Sequence, residues 1–112
     1  MNNKGGDTVE IEKIKDLCKK LAIRPTKHAL LRLLQRNITI DDVVYSFSNG
    51  EIIEEYPKDY PFPSCLVLGI TVNKKYIHTV CSVSEDDELW IITAYYPNNN
   101  EWENDYKTRK EG

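Results

Sequence analysis

Long apolar runs are missing from this sequence of 112 residues, and cysteine, histidine and methionine are scarce. No stretch approaches the ~18 apolar residues of a membrane-spanning helix, and the N-terminus lacks the apolar segment of a signal peptide. The three cysteines, Cys18, Cys65 and Cys81, are scattered, odd in number and without CxxC spacing. This pattern favours reduced thiols in a cytoplasmic protein over a disulfide framework.

The motifs that mark the large classes of cofactor-dependent and metal-dependent enzymes are also missing. There is no phosphate-binding glycine loop, no nucleophile elbow and no HExxH motif. The acidic run at residues 85–88 is typical of a solvated hairpin turn, and a zinc site would require His28, His78 and cysteines to meet only through folding. We therefore predict a protein without a metal ion or cofactor.

Charge is present in quantity but is distributed unevenly along the chain, whose net charge is −3. Residues 8–36 carry eight Lys and Arg against three Asp and Glu, whereas residues 37–112 carry six against fourteen. A basic helical half on an acidic sheet half offers a local footprint for RNA or an acidic partner. Helix surfaces are also often lysine-rich for solubility alone, so both interpretations stay open.

Apolar residues keep helical spacing through the first half of the chain. The first predicted helix begins at a capping-box pattern, Asp7 with Glu10, and runs to about Ala22, where the approach to Pro25 ends it. The second occupies about residues 26–36. One broad arc of this second helix is apolar and consists of Ala29, Leu30, Leu31, Leu33 and Leu34. The rest of its surface is polar and consists of His28, Arg32, Gln35 and Arg36.

A third short helix is predicted after Thr39, and the period changes to that of strands after Gly50. Four strands are expected, at residues 51–56, 64–72, 74–83 and 88–96. The order predicts an α+β fold, with two to three N-terminal helices packed on a four-stranded, mainly antiparallel sheet. We expect one domain. It consists of a disordered start (residues 1–6), a helical part (7–49), a sheet (50–97) and a tail (98–112) whose Trp102 is available to dock on the core.

The remaining polar residues suit metal-independent chemistry on RNA. In that reaction the ribose 2′-OH is the nucleophile, and the protein supplies a base, an acid and fixed cations for the phosphorane. His28 and His78 are candidates for the proton transfers, and Tyr95 is a candidate to position or protonate the substrate. Arg32 and Arg36 are candidates for binding the phosphate.

Each candidate also has a structural interpretation. Exposed arginines are often only the solvated face of a helix. A histidine in the middle of a strand, as His78 is predicted to be, is as often a hydrogen-bonded interior residue as a catalytic one.

Several segments together resemble a bacterial family of domains of unknown function that is grouped with the RelE-like toxin superfamily, which includes BrnT-like and MqsR-like ribonucleases. They are TKHALLRLLQRNITIDDV, NGEIIEEYPKDYPFPSCLVLG, YIHTV and WIITAYYPNNNEW, with Arg109 after them. The resemblance covers about residues 24–110. It implies a RelE-like toxin fold and a metal-independent endoribonuclease whose partner is an antitoxin of zinc-finger, helix-turn-helix type encoded by the neighbouring gene. The resemblance makes candidate site residues of the matching motif positions, which are His28, Arg32, Arg36, His78, Thr93 and Tyr95, with Arg109 as a supporting residue.

Two functions therefore compete. One is a toxin-like RNase, in which His28 and His78 share acid–base catalysis and Arg32 and Arg36 hold the scissile phosphate. The other is a non-catalytic protein-binding or RNA-binding module of the same fold with a regulatory role. Convergence of His28, Arg32, His78 and Tyr95 on one cleft favours the first function, and separation favours the second. A homodimer is an open alternative for the assembly, and no membrane partner is expected.

Overall fold

The computed structural model describes residues 8–111, which form three helices and a five-stranded mixed sheet. The helices are α1 (Ile11–Lys19), α2 (Lys27–Gln35) and α3 (Ile40–Ser48). The strands are β1 (Ile23–Pro25), β2 (Glu51–Tyr56), β3 (Ser64–Ile70), β4 (Tyr76–Val83) and β5 (Leu89–Tyr95), in the sheet order β1-β5-β4-β3-β2. The α+β class is confirmed, and none of the helices within the described range is long and apolar enough to cross a bilayer.

The predicted count of four strands is wrong, because β1 adds a fifth at the edge of the sheet. This strand of three residues pairs in parallel with β5, where Ile23 lies opposite Leu89. The amide of Leu89 donates to the carbonyl of Ala22, and the amide of Thr26 donates to the carbonyl of Ile91. Three residues are too few to show strand periodicity, and a proline in the segment indicated only a helix boundary. Proline is tolerated here because an edge strand leaves one side unpaired.

The helix caps fix where α2 and α3 begin. The side chain of Thr26 accepts a hydrogen bond from the amide of Ala29, and Thr39 forms a capping box with Asp42. Both helices lie within one residue or so of their predicted bounds. Helix α1 differs, since it ends at Lys19, and Leu21 then takes a left-handed backbone. The predicted cap at Asp7 and the predicted disordered start lie outside the described residues.

The helices pack on one face of the sheet and form the main core with it. Helix α2 lies on β5 and α3 lies on β3. Only Ala29 and Leu33 of α2 are buried, whereas three leucines that the sequence placed in the same apolar arc are exposed; they are Leu30, Leu31 and Leu34. The predicted apolar arc was too broad, because only a narrow stripe of this helix contacts the sheet.

The C-terminal segment, residues 98–111, covers the part of the opposite face that contains His78. Trp102 of this segment is buried, as predicted, although the segment contains no helix. Two salt bridges connect it to the outer strand β2, from Lys107 to Glu51 and from Arg109 to Glu54. The C-terminal segment is thus attached to β2 and β4 on the side of the sheet away from the helices.

Candidate functional site

His78 lies in the middle of β4 on the face that the C-terminal segment covers, and its side chain is completely buried. Its Nε2 atom lies 2.6 Å from the main-chain carbonyl oxygen of Tyr106, and its Nδ1 atom lies 3.2 Å from the hydroxyl of Tyr95. A carbonyl only accepts hydrogen bonds, so we assign the ring proton to Nε2, and Nδ1 then accepts from the tyrosine. Burial lowers the pKa of His78, which favours the neutral ring.

A β-bulge in β5 explains why Tyr95 meets His78. The pairing of β4 with β5 shifts by one residue after Ile91, and His78 then lies directly opposite Tyr95. Without the shift, regular alternation from Leu89 would turn Tyr95 toward the helices. The bulge also keeps Ala94 in the core beside Leu89 and Ile91. The sequence alone gives no signal for an extra residue in an apolar strand.

A second group of polar residues surrounds Trp102 on the same face. The indole ring contacts the His78 ring edge-to-face, at 4.5 Å between centroids, and the Arg109 guanidinium lies 4.5 Å above it. Arg109 donates two hydrogen bonds to Glu54, at 2.7 and 3.0 Å, and Glu54 also accepts from the hydroxyl of Tyr56. The hydrogen bond from Arg109 is the main reason that the pKa of Glu54 is lowered. This network joins β2, β4 and the C-terminal segment.

Arg36 marks a different location, at the free edge of β5. Strand β1 covers this edge only as far as Ile91. Beyond it, the Nη1 atom of Arg36 lies 2.9 Å from the carbonyl oxygen of Ala94 and 3.3 Å from the hydroxyl of Thr93. The guanidinium has five N–H donors, and only Nη1 bonds to protein within residues 8–111. The arginine is therefore held in place while its other donors are free for a ligand.

His28 and Arg32 lie on α2, on the same polar side as Arg36. His28 is exposed, and Arg32 donates to the neutral side chain of Gln35 at 3.0 Å. In the described part of the chain, Arg24 and Arg109 form salt bridges with carboxylates, whereas Arg32 and Arg36 form none. Arg32 and Arg36, which directly follows α2, are thus cations without a carboxylate partner among residues 8–111.

The predicted site residues accordingly form two groups. His78 contacts Tyr95, and Arg109 joins them through Trp102, on the face under the C-terminal segment. Arg36 contacts Thr93 at the edge of the sheet, and His28 and Arg32 extend along α2 on the helix side. No contact connects His28 or Arg32 with His78 among the described residues.

Four residues of this region were not among the sequence-predicted site residues: Glu54, Tyr56, Trp102 and Tyr106. Trp102 was predicted only as a docking residue. Their roles depend on main-chain carbonyls, ion pairs and ring contacts between distant segments, which local spacing does not encode. Within residues 8–111, no cluster of three or more histidine, cysteine or acidic side chains has the arrangement of a metal site.

Comparison with known proteins gives one family. Residues 26–96 match the family described as Domain of unknown function (DUF4258), and this range contains every predicted site residue except Arg109. No curated protein matches the chain, and no solved structure does. Since the match spans more than half of the sequence, the chain belongs to the DUF4258 family of domains of unknown function.

Proposed function

We propose that this protein binds RNA along the polar side of α2 and cleaves it without a metal ion, as the toxin of a bacterial toxin–antitoxin system. The observation that carries the proposal is a pair of arginines, Arg32 on α2 and Arg36 at its C-cap, which lack carboxylate partners in the described chain although the protein is acidic. Contacts of arginine with phosphate oxygens supply much of the affinity of proteins for nucleic acids. Three helices packed on one face of a mainly antiparallel sheet support a RelE-like fold.

The proposed reaction needs no nucleophile from the protein. His28 takes the proton of the ribose 2′-OH, the 2′-oxygen bonds to phosphorus, and the bond from phosphorus to the 5′-oxygen breaks. The leaving 5′-oxygen gains a proton from His28 or from water. Arg32 and Arg36 hold the phosphate and stabilise the charge of the phosphorane. Because His78 is buried and bonded at both ring nitrogens, we assign it and Tyr95 a structural role in place of the catalytic one predicted from the sequence.

The proposed antitoxin would inhibit by covering α2. Leu30, Leu31 and Leu34 are exposed beside the arginines, so this surface is both apolar and cationic. An acidic segment with apolar side chains complements it. The resemblance to toxins further suggests that this segment belongs to a zinc-finger, helix-turn-helix protein encoded by the neighbouring gene.

The first test measures cleavage of single-stranded RNA by the purified protein in the presence of EDTA. We expect cleavage to 2′,3′-cyclic phosphate ends, and we expect His28→Ala to slow it about 100-fold while leaving RNA binding intact. The double variant Arg32→Gln, Arg36→Gln should lose binding as well. The matched control, Lys58→Gln with Lys110→Gln, removes the same charge from two exposed lysines elsewhere. Equal RNA binding by the two double variants would contradict the proposal.

The second candidate is a non-catalytic RNA-binding module. Two observations favour it. His28 and Arg32 do not meet His78 and Tyr95 within the described residues, which is the separation expected of a non-catalytic module. His78 is also buried, so only one of the two histidines is accessible to a substrate. This function predicts the same loss of binding in the double arginine variant but no cleavage by the unaltered protein. Induced expression would then fail to arrest growth, and the neighbouring gene would have no toxicity to neutralise.

A further inference from the structure

A cleft of about 370 Å³ lies beside the turn between β3 and β4, and none of its lining residues is among the predicted site residues. We call it the lysine–tyrosine cleft, and it is lined by Lys74, Lys75, Tyr76, Tyr96, Pro97 and Tyr106. Two lysines and three tyrosines on one concave surface combine positive charge with aromatic faces. Proteins use this combination to hold single-stranded nucleic acids.

The turn that carries the lysines is held by hydrogen bonds of its own. The amide of Thr71 donates to the carbonyl of Lys75 at 2.9 Å, and the amide of Lys74 donates to the carbonyl of Thr71 at 2.8 Å. The hydroxyl of Thr71 also accepts from the amide of Lys75, at 3.1 Å. Lys74 has a left-handed backbone, with φ of 66°. The turn therefore fixes the main chain from which both ammonium groups extend.

The tyrosines are positioned by contacts with one another and with the C-terminal segment. The rings of Tyr76 and Tyr106 lie 5.0 Å apart with a tilt of 40°, and the hydroxyl of Tyr106 donates to Asn99 at 3.2 Å. The ammonium of Lys75 lies 5.2 Å from the centre of the Tyr96 ring. Tyr76 is nevertheless substantially exposed, so its ring is accessible from solvent.

The lysines of the cleft have no carboxylate partner among the residues that the structure describes. Neither Lys74 nor Lys75 forms a salt bridge with any residue in the 8–111 range. Asp105, the acidic residue next to Tyr106 in the chain, accepts hydrogen bonds from the amides of Lys107 and Thr108 instead. The cleft thus offers two ammonium groups that form no ion pair in the described structure, within a half of the chain that is acidic overall.

The cleft also lies close to the RNA-binding surface proposed for α2. Arg36 donates to the carbonyl of Ala94, and Tyr96 follows two residues later along the same chain. Two residues of extended chain span about 7 Å. A single RNA strand that leaves Arg36 along the edge of β5 therefore reaches Tyr96 and Lys75 next.

We propose that the lysine–tyrosine cleft is a second RNA contact that holds one unpaired nucleotide, with its base on the tyrosine rings and a neighbouring phosphate on Lys74 and Lys75. This inference rests on the proposed function, since it assumes that RNA lies on α2. It adds a preference for unpaired over duplex RNA, because a base in a duplex cannot stack on a side chain.

The test compares two labelled oligonucleotides on the order of ten nucleotides long. Both carry 2′-O-methyl groups, which prevent attack by the 2′-oxygen; one contains uracil bases and the other abasic sites. Binding is measured by fluorescence anisotropy for the unaltered protein and for three variants: Lys74→Ser with Lys75→Ser, Tyr76→Leu, and the control Lys58→Ser with Lys110→Ser. Thermal unfolding of each variant confirms that it is folded.

We expect the lysine variant to bind both oligonucleotides about tenfold more weakly than the control variant does. Tyr76→Leu should weaken binding of the uracil oligonucleotide by about tenfold and leave binding of the abasic one unchanged, because only the former can stack. A 4-thiouridine probe should cross-link to the peptide containing Tyr76 or to the one containing Tyr106.

Two outcomes overturn the inference and remain distinguishable. If both cleft variants bind as the control does while Arg32→Gln with Arg36→Gln binds weakly, RNA lies on α2 and the cleft is not a contact. If the unaltered protein binds neither oligonucleotide nor unmodified RNA, the proposed function itself fails, and the cleft assignment fails with it. A loss in the lysine variant without any loss in Tyr76→Leu rejects the stacked base.

Discussion

The imidazole of His78 and the main-chain carbonyl of Tyr106 lie 2.6 Å apart although 28 positions separate the two residues. This hydrogen bond connects the centre of the sheet with the C-terminal segment. Tyr106 has a left-handed backbone, with φ of 58°, which helps to turn its carbonyl toward the ring. The histidine therefore acts as a tie between two parts of the fold.

Replacing His78 should chiefly reduce stability. His78→Ala leaves a cavity beside Trp102 and leaves the Tyr106 carbonyl without its donor, so we expect the free energy of unfolding to fall by about 2–4 kcal/mol. Urea denaturation measures this, with His28→Ala as the control, since an exposed side chain changes stability by only about 0.5 kcal/mol. A fully stable His78→Ala protein that has lost RNA cleavage would instead indicate direct catalysis.

The stability of the protein should also depend on pH through His78. Burial lowers the pKa of His78 below its ordinary value of 6.5, so the unfolded chain binds a proton more readily than the folded chain. The contribution of His78 to the free energy of unfolding is therefore fully present above pH 6.5. It is lost as the pH falls through 6.5 toward the folded-state pKa.

Urea titrations between about pH 8 and pH 5 measure this dependence. The variant His78→Gln should be nearly flat over the same range. Glu54 does not add to the slope between about pH 8 and pH 5, because the pKa of its carboxylate is lowered from 4.5. Its contribution to the free energy of unfolding is lost only at more acidic pH. An identical slope in the variant would show that another group titrates.

The pair of Arg109 and Glu54 should contribute modestly to holding the C-terminal segment. Arg109→Lys keeps the charge but loses the paired hydrogen bonds and the planar contact with Trp102. Because Arg109 is largely exposed, we expect a loss of about 1 kcal/mol. A double-mutant cycle with Glu54→Gln measures the coupling between the two side chains, and strict additivity would contradict it.

Gly69 is required where β3 passes under α3. A Cβ atom at this position would lie 2.2 Å from the carbonyl oxygen of Ser46, which is closer than atoms can approach. Gly69→Ala should therefore lower the free energy of unfolding by about 3 kcal/mol. The Cβ of Ser46 also lies 2.8 Å away, but the closest obstacle is the main-chain carbonyl, so adding Ser46→Gly should not restore stability in thermal or urea unfolding. Wild-type stability in the single variant would show that α3 shifts freely.

Much of the fold was predictable because local signals agree with it. Thr26 and Thr39 are side-chain caps, and both start helices that the structure contains. The continuous apolar run at residues 64–70 is the buried strand β3, and the alternating segments form β4 and β5. Helix caps and hydrophobic periodicity each involve only a few neighbouring residues, so they can be recognised directly in the sequence.

The candidate site was predictable only in part. The polar side of α2 followed from helical spacing, and Arg36 does reach Thr93, another predicted residue. The sequence could not show that His78 faces away from α2, because that depends on which face of the sheet the helices cover. It also could not show β1, whose pairing with β5 joins distant segments.

The sequence by itself determined the three helices, the four longer strands, the basic character of α2 and the inventory of candidate side chains, since these follow from local chemistry. Only the tertiary structure decided which candidates meet. A bulge of one residue in β5 places the hydroxyl of Tyr95 next to Nδ1 of His78. The main-chain carbonyl of Tyr106 accepts a hydrogen bond from Nε2 of the same ring. Those events depend on strand register and long-range packing. They separate a buried histidine that ties the fold together from an exposed helix surface that is available to a ligand.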